Sequence, residues 1–271
     1  MMRLTYIWHD CFLYEDKRLA MVFDFWKDPL RMNTDAEAST ESHLPVFLKN
    51  IDRGKPLYVF VSHHHKDHYV KEIFDWSKDF PCIHYIFSKD TAKFARHIIS
   101  PTSTYAGTKP SPEAVTILKP GETYSDSLMK VEAFDSTDIG NSYAVETGGE
   151  TIFHAGDLNA WVWKDESTEE EVNAAIAAFE KILDAIAQKY PVMDIAMFPV
   201  DSRIGRDYFT GAAMFVRKID VRHFFPMHFG LGTPEEQTKY QLDAAAVERY
   251  ANPERGEYIC LQAPYSTFMM P

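Results

Sequence analysis

What this chain has little of narrows it before any motif does. Three cysteines stand among 271 residues, Cys11, Cys82 and Cys260. They are odd in number, widely spaced and form no CxxC pair, so neither a disulfide framework nor a thiolate zinc site is indicated, and a reducing compartment fits. Positive charge is scarce as well: 28 Lys and Arg face 40 Asp and Glu, a formal net charge of -12. A surface that tracks phosphates needs a basic stripe, so nucleic acid is not expected as a partner. No stretch reaches the roughly 18 to 20 apolar residues of a spanning helix, and the opening MMRLTYIWHD meets charge early. A soluble, cytoplasmic protein without membrane association is the expectation. Sequence repeats, low-complexity tracts and an internal linker are also missing, so one domain over residues 1–271 is expected.

What is present suits an α/β chain. Hydrophobic residues make up 45% of it, enough for a full core. Runs rich in aromatic and β-branched residues predict strands at 4–8, 12–14 and 19–23, followed by a polar loop and a helix at 42–51. The apolar run Leu57–Val61 reads as a strand buried on both faces. Helical patterns at 69–76 and 91–99 flank a further buried strand at 82–87. Residues 100–113, with three prolines and no periodicity, read as a long loop, a candidate active-site lid. Strands are then predicted at 115–118, 128–134, 142–146 and 151–154. A helix capped by Thr168, with Glu171 three residues on, carries Val172, Ile176, Phe179, Leu183 and Ile186 on one face. Strands at 193–199 and 221–227 bracket a helix near 211–219. Each half thus holds several strands followed by helices, which suits two stacked sheets with helices outside.

Directly after the strand Leu57–Val61 comes His63-His64-His65-Lys66-Asp67-His68, four histidines and an aspartate in six residues. A solvated loop with chance histidines explains so dense a cluster poorly. Imidazole and carboxylate are metal ligands, and in extended chain His63 and His65 point the same way, since side chains alternate. That pair can grip one ion. A turn after it lets Asp67 and His68 face a second.

His63, His65, Asp67 and His68 in SHHHKDH resemble the HxHxDH signature of the metallo-β-lactamase superfamily. The resemblance continues in order along the chain: Asp157 in TIFHAGDLNAW matches the bridging aspartate, and His228 in FFPMHFG matches the late histidine ligand. The wording GNSYAVETGGETIFHAGD is most similar to the branch of small hydrolases that holds L-ascorbate-6-phosphate lactonases and phospholipase-D-like members. The resemblance implies a four-layer αββα sandwich that binds two divalent metal ions, Zn²⁺ ahead of Mn²⁺. It also implies that hydroxide bound there cleaves a small ester, lactone or phosphodiester, with a small molecule as substrate. One position departs from the pattern: a histidine before the bridging aspartate has no counterpart in FDSTDIGNSY, where Asp138 is the best substitute. On this reading His63, His65, Asp138 and Asp157 hold one ion, while Asp67, His68, Asp157 and His228 hold the other. Asp157 orients or deprotonates the attacking water, with Asp67 as the alternative. Iron-dependent redox members carry Glu where His65 stands, which points to hydrolysis.

His154, His9, Asp24 and Arg203 are further candidates for a supporting or substrate-binding part, each with a plain alternative as a satisfied strand-end histidine or a surface charge. Trp161, Trp163, Arg203, Arg206 and Tyr208 suggest a wall for a phosphate or carboxylate, against the equally simple reading of core tryptophans and surface arginines. His64 should point away from the metals, His223 should face away from His228, and His43, His84 and His97 look incidental. A nuclease of the same fold and a non-catalytic metal-binding module are the rival functions, and homo-oligomerisation is left open.

Overall fold

The computed structural model describes residues 2–32, 44–250 and 256–270, so His43 lies outside the described residues. The chain divides into two compact units, one running to Leu118 and taking in the segment from Ala263, the other spanning Lys119–Gln262. Each holds one seven-stranded mixed sheet.

In the first unit the strands are β1 (Met2–Trp8), β2 (Cys11–Glu15), β3 (Ala20–Phe23), β4 (Leu57–Val61), β5 (Ile83–Ser88) and β6 (Val115–Leu118), in that spatial order. The C-terminal strand Thr267–Met270 adds antiparallel to β1. Pairing is antiparallel through β3 and parallel from β3 to β6. The five residues of β4 are all buried, as expected of a strand with parallel partners on both sides. Beneath the sheet Trp76 is fully buried and meets Phe25 and Phe47 edge-on at 5.0 and 6.1 Å.

The second unit repeats the plan in reverse. β7 (Thr123–Ser125), β8 (Met129–Phe134), β9 (Ser142–Thr147) and β10 (Glu150–His154) pair antiparallel; β11 (Val192–Pro199), β12 (Asp220–Met227) and β13 (Glu257–Tyr258) then follow β10 in parallel. The long helix Glu169–Lys189 buries Val172, Phe179, Leu183 and Ile186, with Ile176 half-buried. Phe179 meets Phe198 of β11 at 6.1 Å, and Phe215, on the helix Thr210–Lys218, stacks on Phe153 of β10 at 5.4 Å.

The predicted strands recur within a residue or two at either end. The helices needed more correction. Residues 69–76 are not α-helical; instead a 3₁₀ helix runs over Lys71–Lys78, and its buried Ile73 and Trp76, three apart, share one side of a three-residue turn. The expected helix at 91–99 is two short ones, Lys89–Phe94 and Arg96–Ile99, broken at Ala95. Of the helix expected at 42–51 the described residues keep a 3₁₀ turn, Val46–Leu48, after Pro45, a residue that disfavours helix before it. The loop at 100–113 is fastened to its own unit by Thr108, whose hydroxyl donates to the Asp75 carboxylate, and by Tyr105, which packs on the core. The helix Pro234–Ala246 and the strands Thr123–Ser125, Glu257–Tyr258 and Thr267–Met270 were not anticipated.

Thr168 forms the expected capping box: its hydroxyl accepts the Glu171 N–H at 3.3 Å, and Glu171 accepts the Thr168 N–H at 2.8 Å. Thr168→Ala should lower stability by about 1 kcal/mol, or about 2 to 4 °C in a thermal melt. An unchanged melting temperature would mean that the cap is irrelevant to stability.

Candidate metal centre

Strand direction decides where the polar residues gather. In the first unit β1, β3 and β4 run the same way, and each ends in a residue of interest: His9 after β1, Asp24 after β3, and Ser62 and His63 after β4. In the second unit β8, β10, β11 and β12 also share a direction, and Asp138, Asp157, Asp201 and His228 follow their carboxyl ends. Ligand sites of open α/β sheets form at such ends, where side chains from several loops converge.

The first unit organises its cluster around Asp24, which is 1% exposed. Its carboxylate accepts hydrogen bonds from the Ser62 N–H at 2.7 Å, from the Ser62 hydroxyl at 2.5 Å and from His68 Nδ1 at 2.9 Å. Ser62 Oγ in turn lies 2.9 Å from His63 Nδ1. With Nδ1 occupied on both rings, Nε2 faces the cluster: His63 Nε2 stands 3.0 Å from His65 Nδ1, and His68 Nε2 stands 3.5 Å from Asp10. His9, Asp10 and His68 offer ligand atoms within 4.8 Å of one another. His9 Nε2 is 3.5 Å from Asp67. Burial opposes the charge on Asp67, yet the hydrogen bond from His9 and the nearby His68 hold its carboxyl well below the usual range. His64 turns elsewhere, giving its backbone N–H and Nδ1 to Asp90 at 3.1 and 2.9 Å.

The second unit builds a matching arrangement. His228 Nδ1 lies 3.0 Å from Asp201, and His228 Nε2 lies 3.2 Å from Asp157. Arg203 clamps Asp201 through Nε and Nη2, at 2.9 and 2.5 Å. Its guanidinium therefore braces the histidine and is not held out as a substrate anchor. Burial again works against ionisation of Asp201, but His228 and Arg203 keep its carboxyl well below the ordinary value. Asp138 is exposed and has a carboxylate oxygen within 4.8 Å of one from Asp157. Thr137 and Asn159 tie their two loops by hydrogen bonds of 2.6 and 3.0 Å. Trp161 gives its indole N–H to the Asp157 carbonyl at 2.8 Å and meets His228 edge-on at 5.4 Å. His154 is buried one turn back, its Nδ1 accepting the Gly156 N–H at 3.2 Å. Arg206 makes an exposed pair with Asp165, and Tyr208 bonds the Asp243 carbonyl. His84 and His97 bond Thr116 and the Phe94 carbonyl, and His223 lies beside Glu257.

Sequence reasoning missed Asp10, Asp201 and Ser62. Asp10 and Ser62 sit next to residues that it named, and Asp201 follows the end of β11, so the rule of parallel strand ends was the available signal. Backbone strain is a second one. His9, Asp24, Trp161 and His228 occupy left-handed φ values of 57°, 44°, 46° and 73°. Such conformations are costly for residues other than glycine and cluster where function over-determines the geometry.

The donor set fits a divalent ion. Two nitrogens at about 2.0 to 2.1 Å from one tetrahedral zinc stand about 3.4 Å apart, close to the 3.0 Å between His63 Nε2 and His65 Nδ1. All donors are imidazole nitrogen or carboxylate oxygen, a set suited to zinc, manganese or iron.

No protein-family profile and no curated protein matches the chain. Its fold does recur among solved structures. Igni18, a metallo hydrolase from the hyperthermophilic archaeon Ignicoccus hospitalis, superposes with a TM-score of 0.58 at 16% identity, over 100% of this chain and 99% of that one. YhfI from Bacillus subtilis, a metallo-β-lactamase fold protein, gives 0.58 at 10% identity, over 99% and 100%. CmlA from Streptomyces venezuelae, a diiron β-hydroxylase, gives 0.63 at 12% identity over 99% of this chain but 54% of its own. The chain has the metallo-β-lactamase fold, the architecture that the HxHxDH-like segment implied.

Asp201→Asn should leave the fold intact and weaken metal binding about 10- to 100-fold, the usual cost of losing a carboxylate that orients a ligand histidine. In metal-free protein the depressed Asp201 carboxyl stabilises the native state above the unfolded value of about 3.9, and that contribution is lost as pH falls towards the folded value. The stability gap between wild type and Asp201→Asn, read by urea unfolding, should therefore be widest near neutrality and close below about pH 4. A gap that is constant with pH would contradict the assignment.

Proposed function

We propose that this chain is a metal-dependent hydrolase acting on a small ester, lactone or phosphodiester. Its ligand set is His63, His65, Asp67, His68, Asp138, Asp157 and His228, with Asp10 as an added donor beside His68. The observation that carries the reading is shared by three histidines on two loops. His63, His68 and His228 each have Nδ1 held by Ser62, Asp24 or Asp201, and each turns Nε2 towards another ligand-type atom. A packed histidine needs no such common orientation, whereas a metal ligand does: the outer hydrogen bond fixes the tautomer and raises the basicity of the ligating nitrogen.

Divalent ions held there act as Lewis acids, lowering the pKa of water and polarising the scissile bond's oxygen. The protein's own groups do the rest. On this reading Asp157, its loop steadied by Trp161, orients the attacking water or takes its proton. Asp67, held by His9, is the alternative. Asp24 and Asp201 keep the ligand rings in place and take no part in the bond changes. The acidic balance of the chain disfavours a nuclease. Fold likeness to a diiron hydroxylase leaves oxygen chemistry as a rival, against which stands the resemblance of His65 to the hydrolytic members.

The test is elemental analysis of purified protein beside assays on lactone, phosphodiester and carboxylic ester panels. About two divalent ions per chain are expected, with Asp157→Ala losing ions and turnover together and Asp138→Ala losing part of the metal. A folded protein that takes up neither zinc nor manganese and turns over none of the panels would overturn the proposal.

A further inference from the structure

A second cleft, which shares no residue with the metal ligands, lies within the first unit. It encloses about 540 Å³, inside the range of about 300 to 1,000 Å³ typical of small-molecule sites. One wall is the helix pair Lys89–Phe94 and Arg96–Ile99, and the other is the edge strand β6. Lys89, Ala92 and Lys93 follow the spacing i, i+3, i+4 on the first helix and so share one face, and Arg96, which opens the second, lines the same cleft. Ala92, Ile99, Val115 and Ile117 make an apolar floor, and Ile117 is left 46% exposed.

The charge of this cleft runs against the rest of the molecule. In a chain of net charge -12, three cations line it and no carboxylate does. Among the described residues Lys89, Lys93 and Arg96 form no salt bridge, whereas Arg18, Arg31 and Lys78 of the same unit are each paired with a neighbouring acid. Asp90, on the same short helix, is turned the other way and is occupied by His64. An apolar floor under an unneutralised cationic mouth is complementary to a molecule with an anionic head and an apolar body.

We propose that this cleft binds a free amphipathic anion, a medium-chain carboxylate or phosphate monoester, with its head at Lys89, Lys93 and Arg96 and its chain along Ala92, Val115 and Ile117. The site stands on its own lining and does not depend on the metal reading. It does lie beside it: the helix that lines the cleft holds His64 through Asp90, and Phe94 stacks on His64 at 5.1 Å. An occupant therefore rests against the element that braces the ligand loop.

Isothermal titration of the full chain with decanoate, decanol and inorganic phosphate separates the contributions, and co-sedimentation with anionic phosphatidylglycerol vesicles separates a free amphiphile from a lipid surface. Decanoate should bind once per chain, decanol at least tenfold more weakly, and phosphate and vesicles not at all. Lys93→Glu combined with Arg96→Glu, and separately Ile117→Asp, change exposed positions and should each weaken decanoate at least tenfold with the thermal melt unchanged. The proposal fails if decanoate does not bind, if decanol binds as tightly, if both variants bind like wild type, or if the protein binds vesicles but not monomeric decanoate.

Discussion

A buried carboxylate is tolerated only where hydrogen bonds replace the water it has lost, since an unpaired one would cost several kcal/mol. Asp24 meets that demand with three donors, two from Ser62 and one from His68, and much of the first unit's cluster follows from it. The same contacts that keep the charge inside the protein fix the turn after β4 and aim the rings of His63 and His68. Asp201 does the corresponding work after β11, with Arg203 and His228 as its donors. Both carboxylates lie 1% exposed, and removing a donor from either would leave a buried charge poorly compensated.

The sheets bring these groups forward through their mixed pairing. Antiparallel hairpins alone would alternate chain direction and place successive loops at opposite ends. Here β1, β3 and β4 in one unit, and β8, β10, β11 and β12 in the other, share a direction, so loops far apart in sequence open on one edge of each sheet. Left-handed backbone at His9, Asp24 and His228 turns the chain sharply just where the strands stop. Strain at such points persists only where the surrounding structure over-determines it, and each unit packs buried aromatic side chains, around Trp76 in one and Phe198 in the other.

Much of this was legible in the chain itself. Buried strands such as Leu57–Val61 announce themselves by unbroken apolar runs, and the Thr168 box by its spacing with Glu171. The residues of SHHHKDH, with Asp157 and His228, carry a pattern strong enough to imply the fold. Other parts were not legible for physical reasons. A 3₁₀ helix and an α-helix both bring residues three apart close to one face, so Ile73 and Trp76 in Lys71–Lys78 are compatible with either. The two-residue strand Glu257–Tyr258 exists only because β12 offers it an edge. The helix Pro234–Ala246 was overlooked although Thr233 and Glu236 form a second capping box, because its sequence has little apolar stripe to draw attention. Asp10 and Asp201 escaped because a lone aspartate looks the same on a surface loop as at the base of a site; burial and partners, which only the fold supplies, tell them apart.

The central claim is that the histidines braced by Ser62, Asp24 and Asp201 are metal ligands. Anomalous X-ray scattering from crystals grown with zinc, recorded on both sides of the zinc absorption edge, tests it directly. The account predicts anomalous peaks within bonding distance, about 2.0 to 2.1 Å, of His63 Nε2, His68 Nε2 and His228 Nε2. Crystals in which these nitrogens carry no peak, with zinc absent or bound only at surface carboxylates, would contradict it.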